Sequence, residues 1–391
     1  MKLVVIGAGQ CGCRVADEFA RLNKRAQAQR GIEIVTGVFA VNTDAADLSG
    51  LSTIRPDYQH RILIGGRKTS GHGVGKINEL GAEVAKEDGD KVIDSVRTSR
   101  HFFETDAFLI VASAAGGTGS GSLPVIAQMV KERYMDKPVY ALVILPFEHE
   151  EQTEERTTYN SATCLKSIST VADAVFLVDN QRYVRKDASI RNNLAQINAL
   201  IAAPFYNLLC AGEEKKAKHI GAKVLDAGDI LQTLVGWTAI GYGQASLSMF
   251  KFPFERTSDF RKKSTETHKG IMAMDAAISE LSIRCKPMDA GRALYLISAP
   301  AKEMNMDLAK ELGDYLKDIA PEAIIRNGDY PRGGGALDVT VILSEFSDVE
   351  KIKTYYSKAA EFIQDLKTRQ VDVESKQREF DEASKNIPTL L

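Results

Sequence analysis

Two carboxylates stand three residues apart in Asp226-Ala227-Gly228-Asp229, directly before the apolar helical run Ile230-Leu231-Gln232-Thr233-Leu234. At a helix start that spacing puts both on one side, where they can orient a water molecule or a hydrated cation. An Asp in such a place is also a favourable N-cap. Capping accounts for one of the two and leaves the other over for chemistry.

Two glycine-rich loops indicate what those acids act on. Gly7-Ala8-Gly9-Gln10-Cys11-Gly12 follows an apolar strand and opens a helix, where glycines let the backbone approach a phosphate and the free N–H groups of the helix start supply donors. Alone, this loop does not separate a dinucleotide from a nucleoside triphosphate. A second loop, Gly116-Gly117-Thr118-Gly119-Ser120-Gly121, again lies between a buried strand and a helix start. One sheet then carries two anion cradles. A diphosphate needs one and a triphosphate can use both, with the hydroxyls of Thr118 and Ser120 adding donors where charge is densest. A flexible Gly/Ser linker, the competing reading, does not suit a segment between an apolar strand and an amphipathic helix. A third cluster, Gly71-His72-Gly73-Val74-Gly75-Lys76, lacks the hydroxyl a Walker loop requires, because Ile77 follows the lysine. It reads as a mobile loop near the terminal phosphate, with His72 at the surface.

The elements that position these loops follow from periodicity. Apolar runs at 3–6, 34–41, 61–64, 107–112, 139–145 and 174–178 read as buried strands, and helical spacing at 10–30, 76–99, 119–133 and 155–171 intervenes. That alternation predicts βαβ units and a parallel sheet covered on both faces, with ligands at the carboxyl ends of the strands. A helix from 189 to 210 places Leu194, Ile197, Ile201, Phe205 and Leu208 on one stripe and is interrupted by Pro204, so it reads as a connecting spine. Beyond it, strands at 237–249, 293–299 and 336–343, with helices near 266–278 and 305–318, form a second α+β domain. From Asp348 a docked helix with Ile352, Tyr355, Ala359, Phe362 and Leu366 at helical intervals turns densely charged.

Gly9-Gln10-Cys11-Gly12 is similar to the first nucleotide loop of tubulin, and Gly116 to Gly121 matches all but the first glycine of the tubulin signature GGGTGSG, with Ala115 in its place. Asn42-Thr43-Asp44-Ala45 looks like the NTD loop of FtsZ. The chain thus resembles the tubulin/FtsZ superfamily over residues 1 to about 345, and the mixture looks most like the archaeal CetZ group. The resemblance implies a Rossmann-like α/β GTPase domain (1–188), a central helix with the catalytic loop (189–236), a smaller α+β domain (237–347) and a helical charged tail (348–391).

The same resemblance implies GTP as ligand, with a bridging Mg²⁺, and residue roles follow from it. Gly9, Gln10, Cys11 and Arg14 serve the phosphates from the first loop, and Ala115, Gly116, Gly117, Thr118, Gly119 and Ser120 from the second. Asp44 and Ala45, with Gly71 and Gly73, complete that end. Val178-Asp179-Asn180 resembles the tubulin VDN segment, which assigns Asn180 and, on the spine helix, Asn198 to the guanine edge. Leu194 stands where the family stacks an aromatic ring on the base. In Pro146-Phe147-Glu148-His149-Glu150-Glu151 the register slides, and Glu151 and Glu155 are the candidates for the ribose.

Asp226 and Asp229 match the family loop NxDxxD or NVDxxE, which lies at the opposite end of the subunit and meets the phosphates of a neighbour only on assembly. Hydrolysis then requires a head-to-tail homopolymer, with Asp229 positioning the attacking water and Asp226 assisting the cation. Val224 replaces the family asparagine and predicts slow turnover.

The bulk numbers exclude some alternatives. Lys+Arg 50 against Asp+Glu 52 leaves a net charge of -2 and no basic field for nucleic acid. Five scattered cysteines without CxxC spacing suit a reducing cytosol, and no leader or membrane span is expected, so the predicted location is cytoplasmic. An NAD-dependent oxidoreductase is the rival enzyme, but it has no use for the second glycine loop. A further rival binds GTP without hydrolysing it. The end, Asn386-Ile387-Pro388-Thr389-Leu390-Leu391, is similar to the peptide FtsZ offers to partners, so Ile387 to Leu391 is a candidate contact for an adaptor or membrane, against a simple frayed terminus. Without a long linker before it, a role in cell shape or envelope organisation is expected ahead of an FtsZ-type division ring.

Overall fold

The computed structural model describes residues 1–184, 190–247, 259–385 and 387–388. In chain order the elements are β1 (Leu3–Ala8), α1 (Gly9–Arg30), β2 (Val35–Asn42), α2 (Ala45–Ser49), β3 (Arg61–Leu63), α3 (Gly66–Thr69), α4 (Asn78–Arg97), β4 (Ala107–Ser113) and α5 (Thr118–Arg133). They continue as β5 (Val139–Leu145), α6 (Glu148–Thr153), α7 (Glu155–Ile168), β6 (Ala174–Asp179), α8 (Ile190–Ala211), α9 (Ala227–Thr233) and β7 (Gly236–Ser246). The last are α10 (Asp259–Ser279), β8 (Arg292–Ala299), α11 (Met306–Ile319), β9 (Ile324–Pro331), β10 (Ala336–Phe346) and α12 (Glu350–Ser384).

Among the described residues ten strands form one sheet in the order β3-β2-β1-β4-β5-β6-β7-β10-β8-β9. From β3 to β7 every pair is parallel. β1, β5 and β6 are buried along their whole length, as unbroken apolar strands between two helical layers must be. The C-terminal α+β part continues this sheet: β7 pairs in parallel with β6, and β10 then runs antiparallel to β7. β9 is an edge strand absent from the sequence reading. It carries the turn-favouring residues Asn327-Gly328-Asp329, yet it pairs in parallel with all of β8.

Register fixes where the loops emerge. Ala8, which ends β1, lies opposite Val41 of β2 and Ala112 of β4, so the three following loops leave the sheet at one height. Asp179 of β6 lies opposite Leu145 of β5, bringing the loops after them to the same edge.

α8 runs unbroken through Pro204, against the interruption the sequence suggests. Ile197, Ile201, Phe205, Leu208 and Leu209 are all buried around that position, and their packing outweighs the hydrogen bond a helix-interior proline removes. Residues 193–211 match a membrane span by length and composition alone, as the buried core helix of a folded domain also does. Those apolar side chains sit in the sheet's core, Phe205 with its ring 5.4 Å from Phe19 and 5.2 Å from Phe176. α12 is docked through Ile352, Tyr355 and Ala359, while Val373 and Phe380 further along are exposed. Of the terminal peptide, Ile387 and Pro388 are described and Ile387 is exposed; Asn386 and residues 389–391 lie outside the described residues.

Candidate functional site

Both glycine loops sit at the carboxyl edge and touch. Gly9 has a φ of 69°, and a Cβ there would lie 2.8 Å from the Gly119 nitrogen. Gly117 is as constrained, since a Cβ would meet the Ile77 nitrogen at 2.8 Å. At Gly116 a Cβ would meet nothing within 4 Å, so that residue faces open space. Thr43 and Thr118, both buried, share a hydrogen bond of 2.6 Å between their hydroxyls and join the loop after β2 to the second glycine loop.

α1 begins after Ala8 and α5 after Gly117, each without a side-chain cap and without an acid in its first turn. α2, α9 and α11 are instead capped by Asp44, Asp226 and Asn305. The two helices that converge on the cradle thus keep their terminal N–H groups and positive dipole ends for an anion. The Ser120 hydroxyl is turned back onto the Gly116 carbonyl, steadying the loop from within. Gln10 donates to Asp47 at 2.6 Å, holding α2 against the start of α1. Burial raises the Cys11 thiol to about 12, assisted by Glu150 and opposed by the exposed Arg14. Cys11 is therefore a neutral wall of this site.

The third glycine cluster folds over Asn42-Thr43-Asp44-Ala45. Ala45 N–H donates to Gly71 O at 3.0 Å and Gly73 N–H donates to Thr43 O at 3.1 Å, which makes an isolated antiparallel backbone bridge between Asp44 and His72. Gly71, Gly73 and Gly75 all have positive φ, which lets the chain make these turns. Asp44 Oδ1 is engaged by the Ala46 and Asp47 N–H groups at 2.8 and 3.0 Å.

At the other side of the cleft, Asn180 and Asn198 are buried, and neither side chain has a hydrogen-bond partner among the described residues. Amide groups left open in this way suit a purine edge. Leu194 is half-buried one turn before Asn198. The ribose candidates turn elsewhere: Glu151 Oε1 accepts the Tyr355 hydroxyl at 2.6 Å, and Glu155 is 3.7 Å from Arg369, so both face the tail helix. Glu150, one position earlier, is the acid whose charge reaches Cys11, and its Oε2 accepts the Phe147 N–H at 3.0 Å.

Sequence reasoning also missed Asn160. Its side chain, fully buried on α7, donates towards the carbonyls of Lys76, Ala115 and Gly116 at 2.9, 3.1 and 3.3 Å and so pins two glycine loops to one helix. The available signal was a polar residue on the inward face of α7, where Thr157, Thr158 and Ser161 are also buried.

The paired acids occupy the opposite edge. α9 precedes β7, whose first residue Gly236 lies opposite Ala174, the first residue of β6, so α9 stands at the amino ends of the parallel strands. α8 spans the two edges with 22 residues, about 33 Å at 1.5 Å per residue. Asp226 is the N-cap of α9 and accepts the Asp229 N–H at 2.8 Å. Asp229, with 40% of its side chain exposed, caps nothing and lies 3.5 Å from Arg326. The loop before them is tied to β9, with Asp329 accepting the Ala222 and Lys223 N–H groups at 3.0 and 2.6 Å. Further back, the buried Glu214 accepts from Tyr330 at 3.0 Å and Arg332 at 3.2 Å, and Arg30 donates to the same Tyr330 hydroxyl at 3.0 Å. Among the described residues no group of three or more His, Cys, Asp or Glu side chains is placed to hold a metal ion.

Fold and site together define a tubulin-type nucleotide-binding protein. Residues 2–186 match the family described as Tubulin/FtsZ family, GTPase domain, and residues 187–361 match Tubulin-like CetZ, C-terminal domain. The tubulin-like protein CetZ1 of Haloferax volcanii is 32% identical over 378 residues, covering 92% of each chain. A GDP-bound monomer of that CetZ1 superposes with a TM-score of 0.78 at 30% identity, over 92% of this chain and 99% of its own. A GTPγS-bound protofilament of Haloferax volcanii CetZ2 gives 0.79 at 29% identity, over 94% and 100%. The chain belongs to the CetZ group of the tubulin/FtsZ family.

Proposed function

We propose that this GTPase polymerises head to tail and cleaves GTP at the junction between protomers. One observation carries the reading: the cradle and the paired acids lie on opposite edges of a single sheet. Stacking two copies along the strand direction brings the acids of one over the phosphates of the next. The CetZ2 protofilament of Haloferax volcanii is a relative assembled with a GTP analogue, and it supports carrying this arrangement over.

In this reading the uncapped starts of α1 and α5 hold the phosphate chain, with Gly9, Gln10, Arg14, Ala115 to Ser120 and the loop at Gly71 and Gly73 around it. Asn180 and Asn198 read the guanine against Leu194. Glu150 contacts the ribose in this reading, Glu151 and Glu155 being engaged by the tail helix. Asp229 orients the attacking water, and Asp226 combines its capping with a role at the cation. Among the described residues no cluster of His, Cys, Asp or Glu is placed for a metal ion, so a magnesium ion would be carried mainly by the nucleotide and would supply charge neutralisation at the phosphates. Asp229 is held by Arg326 until the neighbour arrives, so the protein's share of catalysis is placement of charge.

The reading places the filament in the cytoplasm, supported by five free cysteines and the tubulin-like relatives, and gives it a role in cell shape or envelope organisation. An FtsZ-type ring is the second reading, and a labelled protein forming a mid-cell ring whose loss blocks septation would favour it. The enzymatic test is the specific GTPase activity against protein concentration. It is expected to rise steeply at the concentration where GTP makes the protein sediment, whereas constant specific activity would contradict the reading.

A further inference from the structure

α12 does more than pack on α7. Its docked half buries Ile352, Tyr355 and Ala359 and sets the Phe362 ring 5.7 Å from Tyr159. Its first turns also reach the nucleotide end of the sheet. Lys351 Nζ lies 2.8 Å from Asp179 Oδ1 and 3.5 Å from Glu151 Oε1, and the Tyr355 hydroxyl donates to the same Glu151 oxygen at 2.6 Å. Only 10% and 12% of the Asp179 and Glu151 side chains are exposed, so water screens this cluster poorly.

Each carboxylate belongs to a loop of the site. Asp179 directly precedes Asn180, and the oxygen that receives the lysine also accepts the Gln181 N–H at 3.1 Å, closing the turn that presents Asn180. Glu151 stands in α6 beside Glu150. One ammonium and one phenol therefore hold two elements that share no strand, one on the base side and one on the sugar side. The neighbouring cations do not duplicate this link: Arg182 donates to the Ser279 carbonyl at 2.5 Å, and Arg284 lines the adjoining cavity of about 650 Å³ together with Glu148, Glu280 and Glu350.

We propose that Lys351 and Tyr355 are positioning residues for the guanine nucleotide, clamping the Asn180 turn and α6 into one geometry so that affinity and base selectivity depend on the C-terminal helix. The proposal rests on the reading of Asn180 as a base contact. Without Lys351, two nearly buried carboxylates face each other unpaired, and the loops that carry them separate. A plain anchoring ion pair would instead let the tail loosen and leave the nucleotide untouched.

The test uses full-length protein kept dilute enough to stay monomeric, with fluorescently labelled GDP and ADP as probes. Lys351→Met is expected to weaken GDP at least tenfold and to lower the GDP-to-ADP preference. Tyr355→Phe, which removes one hydroxyl and keeps the packing, is expected to weaken GDP about threefold, roughly 0.7 kcal/mol by the affinity relation. Lys351→Arg should restore most of the loss, and Lys353→Met, at an exposed lysine paired with Asp348, should change nothing. Unchanged GDP affinity and selectivity in both Lys351→Met and Tyr355→Phe overturns the proposal, while wild-type protein that ignores GDP overturns the nucleotide reading beneath it.

Discussion

Asp229→Ala separates catalysis from folding at this site. Asp226 makes the cap of α9, so losing Asp229 removes only a partly exposed ion pair with Arg326 at 3.5 Å, worth about 0–1 kcal/mol of stability. The cost to turnover is set by a positioned acid or base, about 10²–10⁴-fold, or roughly 3–5.5 kcal/mol of barrier. Asp226→Ala is the complementary change: it loses the cap, about 1 kcal/mol, along with the carboxylate. Asp226→Ser restores the cap without the charge. Phosphate release from GTP at saturating protein, read beside the urea midpoint, distinguishes the three. The expected pattern is a folded Asp229→Ala protein that sediments with GTP and turns it over at least a hundredfold more slowly. Turnover within about threefold of wild type would refute the assignment of Asp229, and full activity in Asp226→Ser would leave Asp226 as a cap alone.

Three further outcomes follow from the geometry. Gly9→Ala forces a side chain into a φ of 69° and a Cβ to 2.8 Å from the Gly119 nitrogen; strain of about 1–3 kcal/mol should appear as a loss of GTP affinity of roughly 5–150-fold in calorimetry with the fold retained. Val224, exposed in the loop before α9, offers no hydrogen bond; Val224→Asn is expected to raise specific GTPase activity about tenfold, about 1.4 kcal/mol, and an unchanged rate contradicts its placement at the junction. For Asp17, burial raises the carboxyl pKa but is outweighed by hydrogen bonds from Ile54, Ser52 and Thr53, leaving it below its ordinary value. A depressed carboxylate contributes stability that is present above its unfolded pKa near 4 and lost as pH falls through the folded one, so the destabilisation by Asp17→Asn in urea should be largest at pH 7 and shrink below about pH 4.

What could be read from the sequence was whatever local spacing decides. Gly9 and Gly117 sit between apolar runs and helix starts, so a strand-loop-helix cradle follows from order alone, and Asp226 with Asp229 announced a cap plus one spare acid. The parts that escaped depend on distant partners. β9 was hidden because Asn327-Gly328-Asp329 carries turn residues that only pairing with β8 makes extended. α8 passes Pro204 because the core on both sides of it is buried. Among the acids at 148, 150, 151 and 155, local spacing could not show that Tyr355 and Lys351, some two hundred residues on, claim Glu151 while Glu150 turns back onto the Phe147 N–H.

Catalysis across the junction is tested most directly by mixing. Wild-type protein is held below the concentration at which it assembles alone, and Asp229→Ala protein, with an intact cradle and slow turnover of its own, is added with GTP. Acids of the wild-type subunits should then cleave nucleotide held by their Asp229→Ala neighbours, so that turnover of the mixture exceeds the sum of the separate rates. A mixture that is merely additive, at concentrations where the two proteins sediment together, would contradict cleavage in trans.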